Sequence, residues 1–298
     1  MVSRRTVLLA PLAAAVTPVP AATNKMVLSL HQNTSLNAGY RKSLEGWARA
    51  GVKHVELTDR LLDEFLKTDS LAAAQRVVTD LGLTPVSCSA AIPDFWIPTQ
   101  GRAASLDIWK KRCDQFSSFG IPRIYCAAAT TRKVTQDDYK GSPDCIREAG
   151  EAVGQFRMTA MIEFTRNSSF ISTLTTSLKL IREAAHPNVH PMLDFYHFWS
   201  GLSKFEDLEL LRPGELAHAH FQDVPDMPRE LLDNTTRIIP GDGITPVVRI
   251  LRKLAEKGYS GALSVELFLP EFQQGDPYEV ARRIREKAEA VMHQARVI

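Results

Sequence analysis

The feature that most constrains the fold is a regular alternation of short apolar runs with longer amphipathic stretches, beginning at Met26. Such alternation is typical of strand–helix units that share a parallel sheet. Eight such units over roughly 270 residues predict an α/β fold, a single (β/α)8 TIM barrel. An open doubly wound sheet is the alternative, but no Gly-x-Gly-x-x-Gly follows the first run. Strands are predicted over Met26–His31, Gly51–Leu57, Pro85–Ser89, Arg123–Ala128, Ala160–Phe164, Val189–Phe195, Leu216–Phe221 and Ala262–Phe268.

Helices are predicted between these strands, and residues 26–298 are assigned to one domain because no linker or low-complexity segment interrupts them. Two long loops, at residues 92–101 and 224–242, follow strands and should rim the C-terminal mouth of the barrel. The predicted helices are Tyr40–Ala50, Leu61–Leu81 (one helix or a pair), Ala103–Phe119, Ser142–Phe156, Ser172–Ala184, a short Phe205–Leu211, Pro246–Lys257 and Pro277–Ala295.

The first 22 residues have the layout of an export signal. Arg4 and Arg5 precede a short apolar segment, and small residues follow near Ala21. The stretch from Ser3 to Leu8 also resembles a twin-arginine signal, and the segment is short for a membrane span. We therefore expect a periplasmic or extracellular protein. The location is cytoplasmic if this signal is not functional.

Charge and cysteine usage restrict the partners. The formal net charge is +2, and no basic stripe interleaved with aromatic residues marks a nucleic-acid surface. The four cysteines show no Cys-x-x-Cys spacing, so a thiolate metal site is not expected, although export would permit a disulfide. The expected partner is a small molecule, with no nucleic acid and no membrane after signal removal; a homo-oligomer is compatible with the sequence.

Polar residues at the ends of four consecutive predicted strands indicate a metal site. Glu163, Asp194, His220 and Glu266 each lie near the C-terminal end of an apolar run. Catalytic groups of this fold lie at those ends. Three carboxylates brought together repel each other unless a cation compensates. Carboxylates with one imidazole suit a single divalent ion, with Mn²⁺ placed first and Co²⁺, Mg²⁺ or Zn²⁺ as alternatives.

The four strand-end residues and the segments around them, in this order, resemble the xylose isomerase-like TIM barrel family of sugar-phosphate isomerases and epimerases, the ketose 3-epimerase type in particular. The resemblance covers about residues 26–290. It implies that Glu163, Asp194, His220 and Glu266 hold one ion, that His197 binds the substrate and that Glu56 lies near the pocket. It rests on the segments Ile162-Glu163, Leu193–His197, His218–Asp223, Pro240–Gly243 and Gly258–Glu266.

Proton transfer through an enediolate follows from such a site. A metal that chelates a carbonyl and the adjacent hydroxyl stabilises the enediolate, and Glu163 and Glu266 could take and return the proton. The function expected first is a divalent-metal-dependent sugar isomerase or epimerase. The alternative is a lyase or dehydratase on the same fold, acting on a keto-inositol, a dehydroshikimate or a 3-keto-glycoside. The low charge and few ligands disfavour an apurinic-site endonuclease, and a non-catalytic sugar-binding protein would not need the metal.

The substrate-binding residues depart from the family pattern. The epimerases carry an arginine shortly after the strand-seven histidine, whereas here Asp223 and Asp226 occupy that stretch and Arg229 comes first. Arg229 or Arg237 is therefore the candidate to bind substrate oxygens, and His31 is a further pocket candidate. Two roles stay open from sequence: His218 supports the metal site or fills the core, and Asp223 orients His220, orients a loop or forms an ordinary turn.

Overall fold

A closed barrel of eight parallel strands, β1 to β8 in chain order, forms the centre of the protein. The computed structural model describes residues 25–298, so the signal predicted at residues 1–22 lies outside the described part. The barrel confirms the predicted (β/α)8 TIM fold. No helix in residues 25–298 is long and apolar enough to cross a membrane. The strands are β1 Val27–His31, β2 His54–Thr58, β3 Thr84–Ser89, β4 Arg123–Ala127, β5 Thr159–Glu163, β6 Val189–Asp194, β7 His218–His220 and β8 Ala262–Val265.

Helices surround the barrel and connect its strands. The α-helices are α1 Gly39–Arg49, α2 Asp59–Leu66, α3 Leu71–Asp80, α4 Arg102–Ser117, α5 Gln136–Gly154, α6 Leu174–Ala184, α7 Phe195–Ser200, α8 Val247–Glu256, α9 Pro270–Gln273 and α10 Pro277–Ala295. Short 3₁₀ helices cover Gln32–Ala38, Phe205–Leu210, Arg229–Leu231 and Asn234–Thr236. The predicted helix near residue 205 is therefore 3₁₀, and the stretch 61–81 is a helix pair.

Helix α5 begins six residues before the predicted start at Ser142. Thr135 caps the helix and shares a capping box with Asp138, which satisfies the first backbone N–H groups. Pro143 consequently lies inside the helix, although proline usually marks a first turn. The local cap decides where this helix starts.

Strands β7 and β8 are shorter than predicted, and Glu266 lies one residue beyond β8. The hydroxyl of Thr34 donates to the carbonyl oxygen of Val265 and accepts from the N–H of Leu267. A side chain from the loop after β1 thus takes the place of the strand-to-strand hydrogen bonds that would continue β8. Glu266 still faces the barrel axis because alternation along the chain places it on the same side as Ser264.

Register and alternation sort the inward side chains into layers of four, as expected for this barrel. The layer nearest the mouth contains Thr58, Ala127, Asp194 and Glu266; below it lie His31, Ser89, Glu163 and His220; below those lie Glu56, Tyr125, Met192 and Ser264; and Ser29, Ser87, Met161 and His218 follow. The two layers nearest the mouth thus contain most of the predicted site.

The outward faces of the strands form the main apolar core. Ile162, Leu193 and Leu263 are fully buried against the surrounding helices, and burial of each such side chain contributes about 1.5–3 kcal/mol. Inside the barrel, Tyr125, Met161 and Met192 form a separate apolar cluster. This small cluster lies beneath the two layers nearest the mouth.

Candidate metal centre

Four side chains converge at the C-terminal mouth: Glu163, Asp194, His220 and Glu266. Each offers one potential ligand atom, and these four atoms lie within 4.8 Å of one another. His220 Nδ1 is 3.0 Å from a Glu163 oxygen, 3.3 Å from an Asp194 oxygen and 3.4 Å from a Glu266 oxygen. All four residues are buried. The structure therefore brings together the four residues predicted from sequence as metal ligands.

The cluster favours one additional positive charge. Burial, together with the charges of Asp194 and Glu266, raises the pKa of Glu163 to about 7 against the opposing effect of His220. Burial alone would lower the pKa of His220, but Glu266, Glu56 and Glu163 outweigh it and raise that pKa well above its usual value. Either a proton or a metal ion at the Nδ1 side of His220 would supply the charge.

The donor set fits a divalent ion. His220 Nε2 faces the Glu56 carboxylate at 3.3 Å, so this nitrogen carries the hydrogen. The Nδ1 lone pair then points at three carboxylates, an arrangement that is repulsive without a cation between them. Three oxygen ligands and one imidazole nitrogen match the preferences of Mn²⁺, Co²⁺ and Zn²⁺.

Arg237 reaches the same cluster from the loop after β7. Its Nη1 donates to an Asp194 oxygen at 2.9 Å and to a Glu266 oxygen at 2.5 Å. The guanidinium is 2 % exposed and lies between the rings of Tyr196 and Phe268, at 5.0 and 4.9 Å from their centroids. Burial would lower the pKa of Arg237, but the carboxylates of Asp194 and Glu266 raise it, so this cation is permanent.

Asp223 shapes the loop that carries Arg237. Its two carboxylate oxygens accept the backbone N–H groups of Val224, Gly241, Gly243 and Thr245 at 2.8–3.1 Å. Gly241 has a positive φ of 92°, and a Cβ on Gly243 would approach an Asp223 oxygen to 2.6 Å. The Pro-Gly-Asp-Gly segment therefore folds around this buried carboxylate, and Asp223 orients the loop rather than His220.

Two side chains hold the middle of the same loop by binding its backbone carbonyl oxygens. Arg166, which follows β5, donates to the carbonyl oxygens of Leu232 and Arg229 at 3.0 and 3.1 Å. The hydroxyl of Tyr196 donates to the carbonyl oxygen of Asp233 at 2.7 Å. The structure does not bring the exposed side chain of Arg229 to the carboxylate cluster; its role in substrate binding stays a prediction.

His197 lies in the first turn of α7, the helix after β6, and faces Arg237. Its backbone N–H donates to Asp194, and its Nδ1 accepts the backbone N–H of Arg166 at 3.2 Å. Burial, together with the Arg237 charge, lowers the pKa of His197 to about 4 against the opposing effect of Asp194. The ring is therefore neutral, and its Nε2 lies 2.9 Å from Arg237 Nη2. His197 and Arg237 thus lie side by side next to the Asp194 carboxylate.

His31 and Glu56 lie beneath the mouth and are fully buried. His31 Nδ1 accepts the N–H of Asn33 at 3.1 Å, so its Nε2 hydrogen is directed to the hydroxyl of Tyr125 at 2.9 Å. Glu56 binds His218 and His220. Both residues that were predicted near the pocket thus contact the cluster from below.

Sequence reasoning missed three side chains of the site. Gln222 donates to Asp194 at 2.6 Å, Asn33 donates to Glu266 at 3.0 Å, and Tyr125 contacts His31. Alternation could have identified Gln222, which is two residues beyond His220, and Tyr125, which shares the inward face of its strand. Nothing in the sequence near Asn33 marks its position beside Glu266.

The comparisons with known proteins agree with this architecture. A sequence model of a family described as xylose isomerase-like TIM barrel matches residues 44–290. The chain is similar to an inosose isomerase of Halalkalibacterium halodurans, with 26 % identity over 254 residues that cover 84 % of this chain and 90 % of that protein. It is also similar to a 3-dehydroshikimate dehydratase of Bacillus anthracis, with 35 % identity over 103 residues covering 34 % of this chain and 36 % of that protein.

A solved structure shares the fold closely. The IOLI protein with a bound zinc atom superposes with a TM-score of 0.84 at 22 % sequence identity, covering 91 % of this chain and 99 % of that one. This similarity shows that the two proteins share the same barrel fold. The curated relatives are enzymes, which indicates that this chain is an enzyme too.

Proposed function

The chain belongs to the xylose isomerase-like TIM barrel family, and on that premise we propose that it is a divalent-metal-dependent isomerase or epimerase of a polyhydroxy ketone. The observation that carries the proposal is the convergence of three buried carboxylates on His220 Nδ1 at 3.0–3.4 Å. Similarity to inosose isomerases over 84 % of the chain supports the same reaction class.

Glu163, Asp194, His220 and Glu266 would hold the metal ion. When bound, the ion supplies a Lewis acid that favours the enediolate form of a hydroxy ketone. Mn²⁺ is the preferred ion, and Co²⁺, Mg²⁺ or Zn²⁺ are compatible with the same ligands. The zinc-bound solved structure of the IOLI protein supports a divalent ion in a barrel of this shape.

Glu163 and Glu266 are the proposed proton-transfer pair. They come from β5 and from the end of β8, so they approach the pocket from different sides of the barrel. One carboxylate takes the proton from carbon, and the other returns a proton at the same or the adjacent carbon. The first outcome is epimerisation and the second is isomerisation.

His197 and Arg237 are proposed to bind the substrate oxygen. His197 Nε2 and Arg237 Nη2 lie 2.9 Å apart, so one substrate oxygen could contact both side chains. A carbonyl or enediolate oxygen there would accept from Arg237, so charge that develops on the oxygen would be stabilised by a preorganised donor. This role agrees with the one that the family resemblance implies for His197.

The charge of the site favours an uncharged substrate. Arg237 is already paired with Asp194 and Glu266, so it has no free charge to neutralise a carboxylate or phosphate of the substrate. An inosose, which is a cyclic polyhydroxy ketone without an ionised group, satisfies this condition. We therefore place a keto-inositol ahead of a sugar phosphate.

Dehydration is the second candidate, supported by the 35 % identity to a 3-dehydroshikimate dehydratase over 103 residues. The same enediolate can expel a β-hydroxyl group if the returning acid protonates that oxygen instead of carbon. The chain's residues can serve either outcome, and the orientation of the substrate decides between them.

Incubation of Mn²⁺-loaded protein with a panel of inososes, ketoses and dehydroshikimate in D₂O tests the proposal. Deuterium at carbon in an isomeric product supports isomerisation, whereas an unsaturated product assigns dehydration. Glu163→Gln and Glu266→Gln should each abolish exchange. Glu215→Gln is the control, because Glu215 pairs with Arg182 near the opposite end of β7. Exchange that survives both site substitutions would exclude this proton-transfer pair.

A further inference from the structure

A fully buried hydrogen-bonded triad lies directly beneath the carboxylate cluster. One oxygen of Glu56 is 2.8 Å from Nε2 of His218, and the other is 3.3 Å from Nε2 of His220. All three side chains are 0 % exposed. Glu56 belongs to β2, across the barrel from β7, which carries both histidines.

The triad fixes which ring nitrogen of His220 carries hydrogen. An ionised carboxylate only accepts hydrogen bonds, so each histidine must present a hydrogen on Nε2 to Glu56. In the other tautomer, the lone pair of His220 Nε2 would face the carboxylate, and a hydrogen on Nδ1 would fill the position between Glu163 and Asp194. Because Nε2 is committed to Glu56, Nδ1 is the nitrogen of His220 that can offer its electron pair to a metal ion in place of a proton.

The spacing of the two histidines matches the two oxygens of one carboxylate. His218 and His220 are two residues apart on the same strand, so both rings point inward from one edge. His218 binds one Glu56 oxygen and thereby turns the other toward His220. The Nδ1 atom of His218 has no partner among the described residues, so this ring is held in the barrel through Glu56.

We propose that Glu56 and His218 are positioning residues of the metal centre, which hold the His220 ring so that Nδ1 is kept as the ligand atom. The inference rests on the proposed metal site. It assigns Glu56 to the orientation of a ligand rather than to the substrate, and it gives His218 a role beyond filling the core. Carboxylates that orient metal-binding histidines raise both ligand basicity and metal affinity.

Metal affinity is the first readout. We would measure Zn²⁺ and Mn²⁺ dissociation constants by competition with a chromophoric chelator for the wild type, Glu56→Leu and Glu215→Leu. Loss of such an orienting partner weakens metal binding by about 10–100-fold, so Glu56→Leu should fall in that range. Glu215→Leu removes a largely buried, paired carboxylate away from the cluster and should leave both constants within about threefold.

The ligating nitrogen is the second readout, and it does not depend on activity. In ¹⁵N spectra of the zinc-loaded wild type, His220 should be bound through Nδ1 and should show a slowly exchanging Nε2 hydrogen. In Glu56→Leu that hydrogen should exchange faster. If Glu56→Leu does not fold, His218→Phe replaces it; this variant keeps the carboxylate and should weaken zinc binding in the same direction.

The outcomes separate the inference from the proposed function. A wild type that binds no divalent ion would overturn the proposed metal site itself. A wild type that binds zinc, with Glu56→Leu and His218→Phe unchanged in affinity, would overturn the positioning role alone. Ligation of zinc through Nε2 of His220 would also overturn it.

Discussion

Replacing Glu163 by glutamine should stabilise the metal-free protein at alkaline pH. Glu163 is 4 % exposed, and its burial beside Asp194 and Glu266 raises its pKa from 4.5 to about 7. One pKa unit corresponds to about 1.4 kcal/mol, so ionising this group in the folded state costs about 3 kcal/mol more than in the unfolded chain. Glutamine keeps the shape of the side chain and cannot ionise.

The pH dependence of this effect has a definite sign. Between pH 4.5 and about 7, a carboxyl group with a raised pKa binds more protons in the folded than in the unfolded state. The free energy of unfolding of the metal-free wild type should therefore fall as the pH rises through this window. Below the window Glu163 is protonated in both states, so its contribution to the difference between the two proteins disappears.

Urea unfolding in the presence of EDTA, from pH 4 to pH 9, measures the difference. The free energy of unfolding of Glu163→Gln relative to the wild type should increase by about 3 kcal/mol across the range. In a second series without EDTA, free metal at about 100 times the dissociation constant of the wild type should stabilise the wild type by about 2.7 kcal/mol. The same metal concentration should stabilise the variant by less. Parallel pH curves for the two proteins would refute the assigned electrostatics of the cluster.

Three further outcomes follow from other parts of the chain. Arg237→Met should lower kcat/KM by about 100-fold, because a preorganised donor is lost, while Arg76→Met, at an exposed position on α3, should leave it unchanged; equal losses would contradict the role of Arg237. Asp223→Asn should lower the free energy of unfolding by about 2–4 kcal/mol in urea, since four backbone N–H groups share the two carboxylate oxygens as acceptors; an unchanged free energy of unfolding would contradict the role of Asp223 in holding the loop. Replacement of the two arginines at positions 4 and 5 by lysine should retain a fused reporter in the cytoplasm, as cell fractionation would show, and continued export would exclude a twin-arginine signal.

The barrel and its four convergent side chains were predictable because both depend on local periodicity. Each strand is a short apolar run, and alternation within it separates Glu163 or His220 from the neighbours that pack outward. The fold then brings the strand ends together, whatever the loops do. Sequence reasoning is reliable where alternation along a strand alone decides which way a side chain points.

The remaining contacts depend on distant partners that periodicity does not describe. Glu56 was expected near the substrate, but its position is decided by register with β1 and β3, which places it one layer below His31. The end of β8 depends on Thr34, more than 200 residues away in the chain. Arg237 could be proposed only as one of two loop arginines, because its approach depends on how Asp223 folds the loop.

The loop that delivers Arg237 leaves the identity of many side chains free to change. Asp223 accepts backbone N–H groups near both ends of the segment, while Arg166 and Tyr196 bind backbone carbonyl oxygens in its middle. Main-chain atoms are common to all residues, so mutations at the exposed Met227 and Leu231 need not displace the arginine. Substrate preference could therefore diversify within residues 225–231 while the buried carboxylate cluster is kept intact. Libraries randomised over this stretch are a direct route to new specificities on the same barrel.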